Sequence, residues 1–288
     1  MYLPDFDYYT PDSVEGVCKM LAEHEGAVVL SGGTDLITKM KLGALQPKTL
    51  VSLKKVPGLR KIEYVQGKGV VIGAASTHND LVFSEVLHGK FKSVSNASKT
   101  MAANQVRNAG TVAGNILSAV PSADLPPILI TLNATVTFIG SKGTRSLSIE
   151  DVFTGPGKTV IQKDEVLTEV IIPDQAMTGS AYFKYSLRKA GALAVIGVAA
   201  AVQMDGRVIK DIRVAFGAVA PVPMRAKKVE EFLKGKEASD ANLDAAAEIA
   251  NGECKPISDQ RASEEYRRAM VGVFTKRAVN KAIAEGHN

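Results

Sequence analysis

The chain has 288 residues, 45% of them hydrophobic, which is enough for more than one buried core, so two or three compact units are expected. Its formal net charge is +5, yet aromatic residues make up only 6% and tryptophan is absent, which favours a solvated basic surface over a base-stacking nucleic-acid platform. No apolar run reaches the roughly eighteen residues of a membrane helix, and Met1-Tyr2-Leu3-Pro4-Asp5 holds no basic region or signal core, which points to a cytoplasmic chain.

In chain order, Ser13 to His24 reads as a helix, and Ala27-Val28-Val29-Leu30 as a short buried strand of β-branched character. The turn Ser31-Gly32-Gly33-Thr34 follows, and Thr34 or Asp35 is placed to cap a helix with Leu36, Ile37 and Met40 on one face. Leu50–Ser52 completes a small parallel α/β unit ending near residue 55. From Gly58 the pattern changes to short strands, clearest at Val70–Ala74, Thr135–Ile139 and Val166–Ile172, with a helix over Val94–Ala103 between the first two. A third unit is expected from about residue 177. It has strands near Ala181–Leu187, Ala194–Met204 and Ile209–Ala218, and Asp205-Gly206 marks a hairpin. Helices near Leu243–Ile249 and Ser263–Ala284 close the chain, the second presenting Tyr266, Met270, Phe274 and Ala278. The expected architecture is α+β, with a two-part unit over 1–176 (about 1–55 and 56–176) and a C-terminal domain over 177–288 built on a three-stranded antiparallel sheet with helices.

Two glycine-rich turns carry the chemistry. Ser31–Asp35 sits between a strand and a helix N-terminus, where backbone N–H groups can gather around an anion, and glycine permits close approach. Taken alone it is equally an ordinary βα connection. Gly110-Thr111-Val112-Ala113-Gly114-Asn115 is a second stretch of small residues, and the two together read as halves of one dinucleotide cradle that is neither Rossmann nor Walker in type. Downstream, Asp124 precedes Pro126 and Pro127. It is either the N-cap of the following apolar helix or a carboxylate that accepts from a sugar hydroxyl. Cys18 and Cys254 form no CxxC and cannot supply the four thiolates of an iron–sulfur cluster, and His24, His78, His88 and His287 have no ligand spacing, so no metal site is expected. Basic clusters at Lys39–Lys41, Lys54–Lys61, Arg225–Lys228 and Arg267–Arg268 read as solvated faces. No Ser-His-Asp, Cys-His or paired-carboxylate set supports side-chain catalysis.

Four ordered blocks resemble one family over nearly the whole chain. They are Val29–Leu36, Gly110–Ile116 with Pro121–Pro127, Phe183–Ala190 and Phe216–Ala226, and they are similar to the FAD-binding subunit of the molybdenum hydroxylases, the xanthine dehydrogenase and aerobic carbon monoxide dehydrogenase type. The resemblance implies that Val29, Leu30, Ser31, Gly32, Gly33, Thr34, Asp35 and Leu36 wrap the pyrophosphate of FAD and that Thr111, Val112, Ala113, Gly114 and Asn115 complete the cradle. It places Asp124 on a ribityl or sugar hydroxyl, Met101 and Leu167 against the cofactor, and Lys184 near the flavin. From the residues alone, Met101 and Leu167 are equally core positions, and Lys184 equally a solvated strand residue.

The family further implies an electron-transfer subunit. Its partners would be a large molybdenum-cofactor subunit and a small subunit with two [2Fe-2S] centres, as a dimer of heterotrimers. One departure stands out. Where many relatives carry an acidic residue before a large apolar or aromatic one, this chain reads Ala190-Gly191-Ala192-Leu193. Leu193 can still cover a ring face, but the missing acid leaves the electron acceptor open among NAD, a quinone, a ferredoxin and oxygen. A stand-alone FAD oxidoreductase and a flavin-free scaffold are the alternative readings. No candidate base supports the first, and the intact Gly32-Gly33, Gly114-Asn115 and Asp124 set speaks against the second.

Overall fold

The computed structural model describes residues 2–286; Met1 and His287, which enter the sequence reading, lie outside the described residues. The first unit is β1 (Asp7–Tyr9), α1 (Val14–Glu23), β2 (Val28–Leu30), α2 (Leu36–Lys41) and β3 (Thr49–Ser52). Its sheet is parallel with order β1-β3-β2. The Ser13 hydroxyl accepts from the Gly16 N–H at 3.1 Å and starts α1, which buries Val17, Cys18 and Leu21 against Val51 and Leu53. β1 escapes a hydropathy reading because Asp-Tyr-Tyr is polar at both faces and is held by backbone pairing with β3.

The second unit holds β4 (Ile62–Val65), β5 (Gly69–Gly73), α3 (His78–Phe83), α4 (Lys92–Thr100), α5 (Asn104–Arg107), α6 (Val112–Leu117), α7 (Leu125–Thr131), β6 (Thr135–Gly140), β7 (Gly143–Ser148), β8 (Phe153–Gly155), β9 (Lys158–Thr159) and β10 (Val166–Ile172). Five strands form an antiparallel sheet of order β4-β5-β10-β6-β7, and β8 pairs with β9. α7 is buried on every side, as an all-apolar helix must be. The helix expected over 94–103 ends at Thr100 because Ala102 turns left-handed, with φ +42°.

The third unit contains β11 (Gly179–Tyr185), β12 (Ile196–Asp205), β13 (Val208–Gly217), β14 (Met224–Arg225), α8 (Lys227–Leu233), α9 (Asp240–Glu253) and α10 (Glu264–Glu285). The three long strands expected from sequence are present, hairpin included, and the two-residue β14 makes the sheet four-stranded. Both faces of this sheet are covered. Val198, Ala200, Val202, Val214 and Phe216 face α8 and α10, with α9 packed outside them, while the alternate residues Tyr182, Ala199, Ala201 and Ala215 join the core of the second unit with α4 and α7. That second face brings β11 against α7 and the end of α4, and so places Lys184 beside Asp124.

Candidate functional site

The first glycine turn leaves the C-terminal end of β2. The backbone N–H groups of Gly32, Gly33, Thr34, Asp35 and Leu36 donate to no acceptor among the described residues, which leaves five consecutive donors at the start of α2. Gly33 adopts φ +74°, a conformation that favours glycine. Asp35 stands at the N-cap position without making a cap hydrogen bond, so its carboxylate does not occupy these donors. The turn opens on a cleft of about 320 Å³ lined by Leu30, Ser31, Gly32, Gly33, Thr34, Ile37, Thr38 and Lys54.

The second turn is locked to the first. A Cβ on Gly32 would sit 2.0 Å from the Ala109 carbonyl oxygen, so only glycine lets the two loops touch. The Ser31 and Thr111 hydroxyls share a hydrogen bond of 2.9 Å across the contact. Unlike the first turn, the second is nearly saturated. Val112 and Ala113 donate to Ser76 and Ala74, Gly110 to Val106, Asn115 to the Thr111 carbonyl, and Gly114 to the Thr111 hydroxyl. Asn115 turns its side chain inward and accepts from the Leu125 N–H at 3.2 Å, fixing the start of α7. The first loop therefore keeps free donors at the cleft, whereas the second is a saturated loop packed on Gly32, and none of its residues lines that cleft. Gly114 is exposed, with only the Thr111 hydroxyl near the space its side chain would fill, so the chain itself does not demand glycine there.

Asp124 does not cap α7 with its side chain. Its Oδ2 accepts from Lys184 Nζ at 2.8 Å and its Oδ1 from the Tyr182 hydroxyl at 2.9 Å. Lys184 also donates to the Thr100 carbonyl at 3.1 Å. Burial pushes the Asp124 carboxyl above the usual carboxylate range, opposed by the Lys184 ammonium and the Tyr182 hydroxyl. Burial also raises the Tyr182 phenol far above its ordinary value, so it serves as a donor. A carboxylate has about four acceptor positions and an ammonium three donors. The pair thus keeps capacity on both charges for a polar ligand while presenting no net charge.

The remaining predicted residues are dispersed over this centre, the first turn and the core. Met101 caps α4 and its methyl packs over Gly110. Leu193 is 50% exposed in the loop before β12, and the Gly191 N–H in that loop donates to the Ala102 carbonyl at 3.0 Å, drawing it toward Met101. Val29 and Leu36 are half-buried, flanking the turn. Leu167 is buried in the core of the second unit, opposite Phe138 on β6.

Several supporting residues carry no sequence motif. His78 is buried under the second turn, with its backbone N–H donating to the Gly110 carbonyl and its Nδ1 3.4 Å from the Ser98 hydroxyl. Burial, with the nearby charges of Arg107 and Lys184, lowers its pKa to about 4. Arg107 donates to the Met101 carbonyl at 2.8 Å and fixes the bend after α4. A larger recess of about 590 Å³ beside Asn108 is not an anion site, because Arg60 is spent on a two-pronged pair with Asp80 and Lys61 on Glu63.

A glycine turn with free donors, a saturated loop packed on it and a buried Asp124–Lys184 pair thus stand in a mixed α+β chain, which its sequence relatives make a flavin-binding subunit. Residues 4–175 match the FAD binding domain in molybdopterin dehydrogenase, and residues 181–282 the CO dehydrogenase flavoprotein C-terminal domain. The carbon monoxide dehydrogenase medium chain of Hydrogenophaga pseudoflava is 35% identical over 99% of both chains. The glyceraldehyde dehydrogenase medium chain of Sulfolobus acidocaldarius is 34% identical over 96% of this chain and 98% of its own. A solved structure of the Hydrogenophaga pseudoflava carbon monoxide dehydrogenase superposes with a TM-score of 0.95 at 34% identity over 99% of each chain. The chain belongs to the family of FAD-binding medium subunits of the molybdenum hydroxylases, oxidoreductase subunits of the carbon monoxide and xanthine dehydrogenase type.

Proposed function

We propose that this chain carries electrons from the iron–sulfur centres of a partner subunit through FAD to an external acceptor. The observation that carries this reading is the run of five unpaired N–H donors at Gly32–Leu36, lining a cleft at the end of a parallel strand. When bound, FAD supplies the redox chemistry, taking up electrons and passing them on. The chain's own residues bind and orient it. The turn from Val29 to Leu36 would hold the pyrophosphate, with Thr111 to Asn115 completing the cradle behind Gly32. Asp124 accepts from a ribityl or sugar hydroxyl with the lone pairs that Tyr182 and Lys184 leave open. The remaining N–H of Lys184 would donate toward the flavin, where a positive charge favours the reduced anionic ring. Met101 and Leu193 would pack against the ring. Leu167, buried opposite Phe138, would meet the cofactor only as the family resemblance implies.

The chain would work with a large molybdenum-cofactor subunit and a small subunit bearing two [2Fe-2S] centres, assembled as a dimer of heterotrimers. That the relatives are medium chains of their enzymes supports partnership with other subunits. The loop Ala190–Leu193 carries no acid beside Leu193, so the acceptor is to be found among NAD, quinone, ferredoxin and oxygen by assay rather than by this loop. The test is the visible spectrum of the purified chain, followed by release and chromatography of the cofactor. Stoichiometric FAD and co-purification of the two other subunits support the reading. A colourless preparation that takes up no FAD, even with those subunits added, overturns it.

A further inference from the structure

We propose that Lys54 is the cation that pairs with the pyrophosphate of FAD, a reading that rests on the cradle assignment above. Lys54 belongs to a basic run that sequence alone assigns to the solvated surface. The fold separates it from its neighbours. β2 and β3 are adjacent and parallel, with Leu30 opposite Ser52, so the residues that follow them, Ser31-Gly32 and Leu53-Lys54, emerge side by side at the carboxyl end of the sheet. That end is where open α/β sheets receive ligands.

Of the residues lining the cleft, Lys54 is the one with a charged side chain, and Lys55 does not line it. The Lys54 N–H donates to the Ser52 hydroxyl at 3.3 Å, which fixes its backbone at the rim. Its ammonium forms no ion pair with any described residue, whereas Lys61 is held by Glu63 and Lys184 by Asp124. The charge balance calls for it. A pyrophosphate brings two negative charges. The second loop has spent nearly all its N–H donors, the Asp124–Lys184 pair is neutral, and Asp35 adds a negative charge beside the turn. The five free N–H groups supply geometry and partial charge only, so a full positive charge at the rim is the missing complement. An ammonium on a flexible stem suits a phosphate as a point charge.

The test is FAD affinity as a function of salt concentration, for the full chain or, where the chain alone is colourless, for the assembled complex. The variants are Lys54→Ala, Lys54→Glu and Lys54→Arg. Lys54 is exposed, so the fold tolerates all three, and thermal unfolding checks this. At low salt Lys54→Ala is expected to bind FAD about tenfold more weakly, with a shallower salt dependence. Lys54→Glu is expected to bind more weakly still and to improve as salt rises, and Lys54→Arg to stay close to the parent. Variants that bind FAD with the parent's affinity and salt dependence overturn the assignment. So does a loss that is equal at every salt concentration, which marks a structural role. A parent protein that binds no FAD in any form instead overturns the cradle reading beneath it.

Discussion

Asp124 at the head of α7 and Lys184 within β11 meet at 2.8 Å although sixty residues separate them, and each side chain is only 5% exposed. The contact joins the unit that carries the two glycine turns to the C-terminal sheet, beside the Thr100 carbonyl at the end of α4. Burying such a pair removes two charges from water, so it adds little net stability compared with an apolar pair. Losing one partner is another matter, because the remaining charge stays buried. The Tyr182 hydroxyl and the Thr100 carbonyl, at 2.9 and 3.1 Å, satisfy further valences and hold both charges in place.

Lys184→Met is therefore expected to destabilise the protein by about 3–5 kcal/mol, since it strands the Asp124 carboxylate. Adding Asp124→Leu should recover much of that loss. Urea unfolding of the two single variants and the double variant measures the coupling. Strict additivity of the two losses would show that the pair is not energetically linked.

Tyr182→Phe tests the second donor to Asp124. The phenol is buried and the carboxylate is its hydrogen-bond acceptor, so the expected loss is about 1–3 kcal/mol. The effect should largely vanish in an Asp124→Leu background, where the phenol has lost that acceptor. An undiminished effect in that background would assign the loss to packing against Gly197 rather than to the hydrogen bond, because a Cβ on Gly197 would lie only 2.9 Å from the phenol oxygen.

The strand–turn–helix at Val28–Lys41 and the Asp205-Gly206 hairpin were legible because local chemistry decides them: β-branched runs, positive-φ glycines and a hairpin dipeptide. The partners of Asp124 were not. A carboxylate before two prolines satisfies a local capping rule, and only the packing of β11 on α7 reveals that it is used at long range. His78 and Arg107 were silent for the same reason, since their roles consist of contacts with Ser98, Gly110 and Met101 across loops. Lys54 read as surface because exposure says nothing about which rim a lysine stands on. The unequal saturation of the two glycine turns is likewise a property of pairing with residues 74–76, absent from either motif.

His78 gives the protein a pH signature. Its folded pKa of about 4 lies below the ordinary value of 6.5, so below pH 6.5 the unfolded chain takes up a proton that the folded chain refuses. Stability contributed by keeping this ring neutral is complete above pH 6.5 and falls as pH drops toward 4, by about 3 kcal/mol in all. Asp80 and Glu165 have depressed carboxyl pKa values, so their losses fall mainly below that window. In a His78→Asn variant, unfolding free energy should vary less between pH 6.5 and 4.5 than in the parent. Parallel curves would remove the histidine from the account.

The two glycines of the first turn make separable predictions. Gly32→Ala places a methyl 2.0 Å from the Ala109 carbonyl oxygen, so the loops must part and the 2.9 Å Ser31–Thr111 hydrogen bond is lost. The turn shifts off the loop that supports it, and flavin affinity should fall even though all five N–H donors of the turn remain. Gly33→Val acts on the donors themselves. A β-branched residue strongly disfavours φ +74°, and its Cβ would press on the Leu30 side chain at 3.0 Å, so the turn must refold and its N–H groups no longer converge. Neither position lies in the two large cores, so the far-ultraviolet spectrum should be retained while the yellow colour is lost. Gly33→Val protein that stays yellow would refute the turn as the pyrophosphate site. Gly32→Ala protein with full affinity would show that the contact between the loops is dispensable.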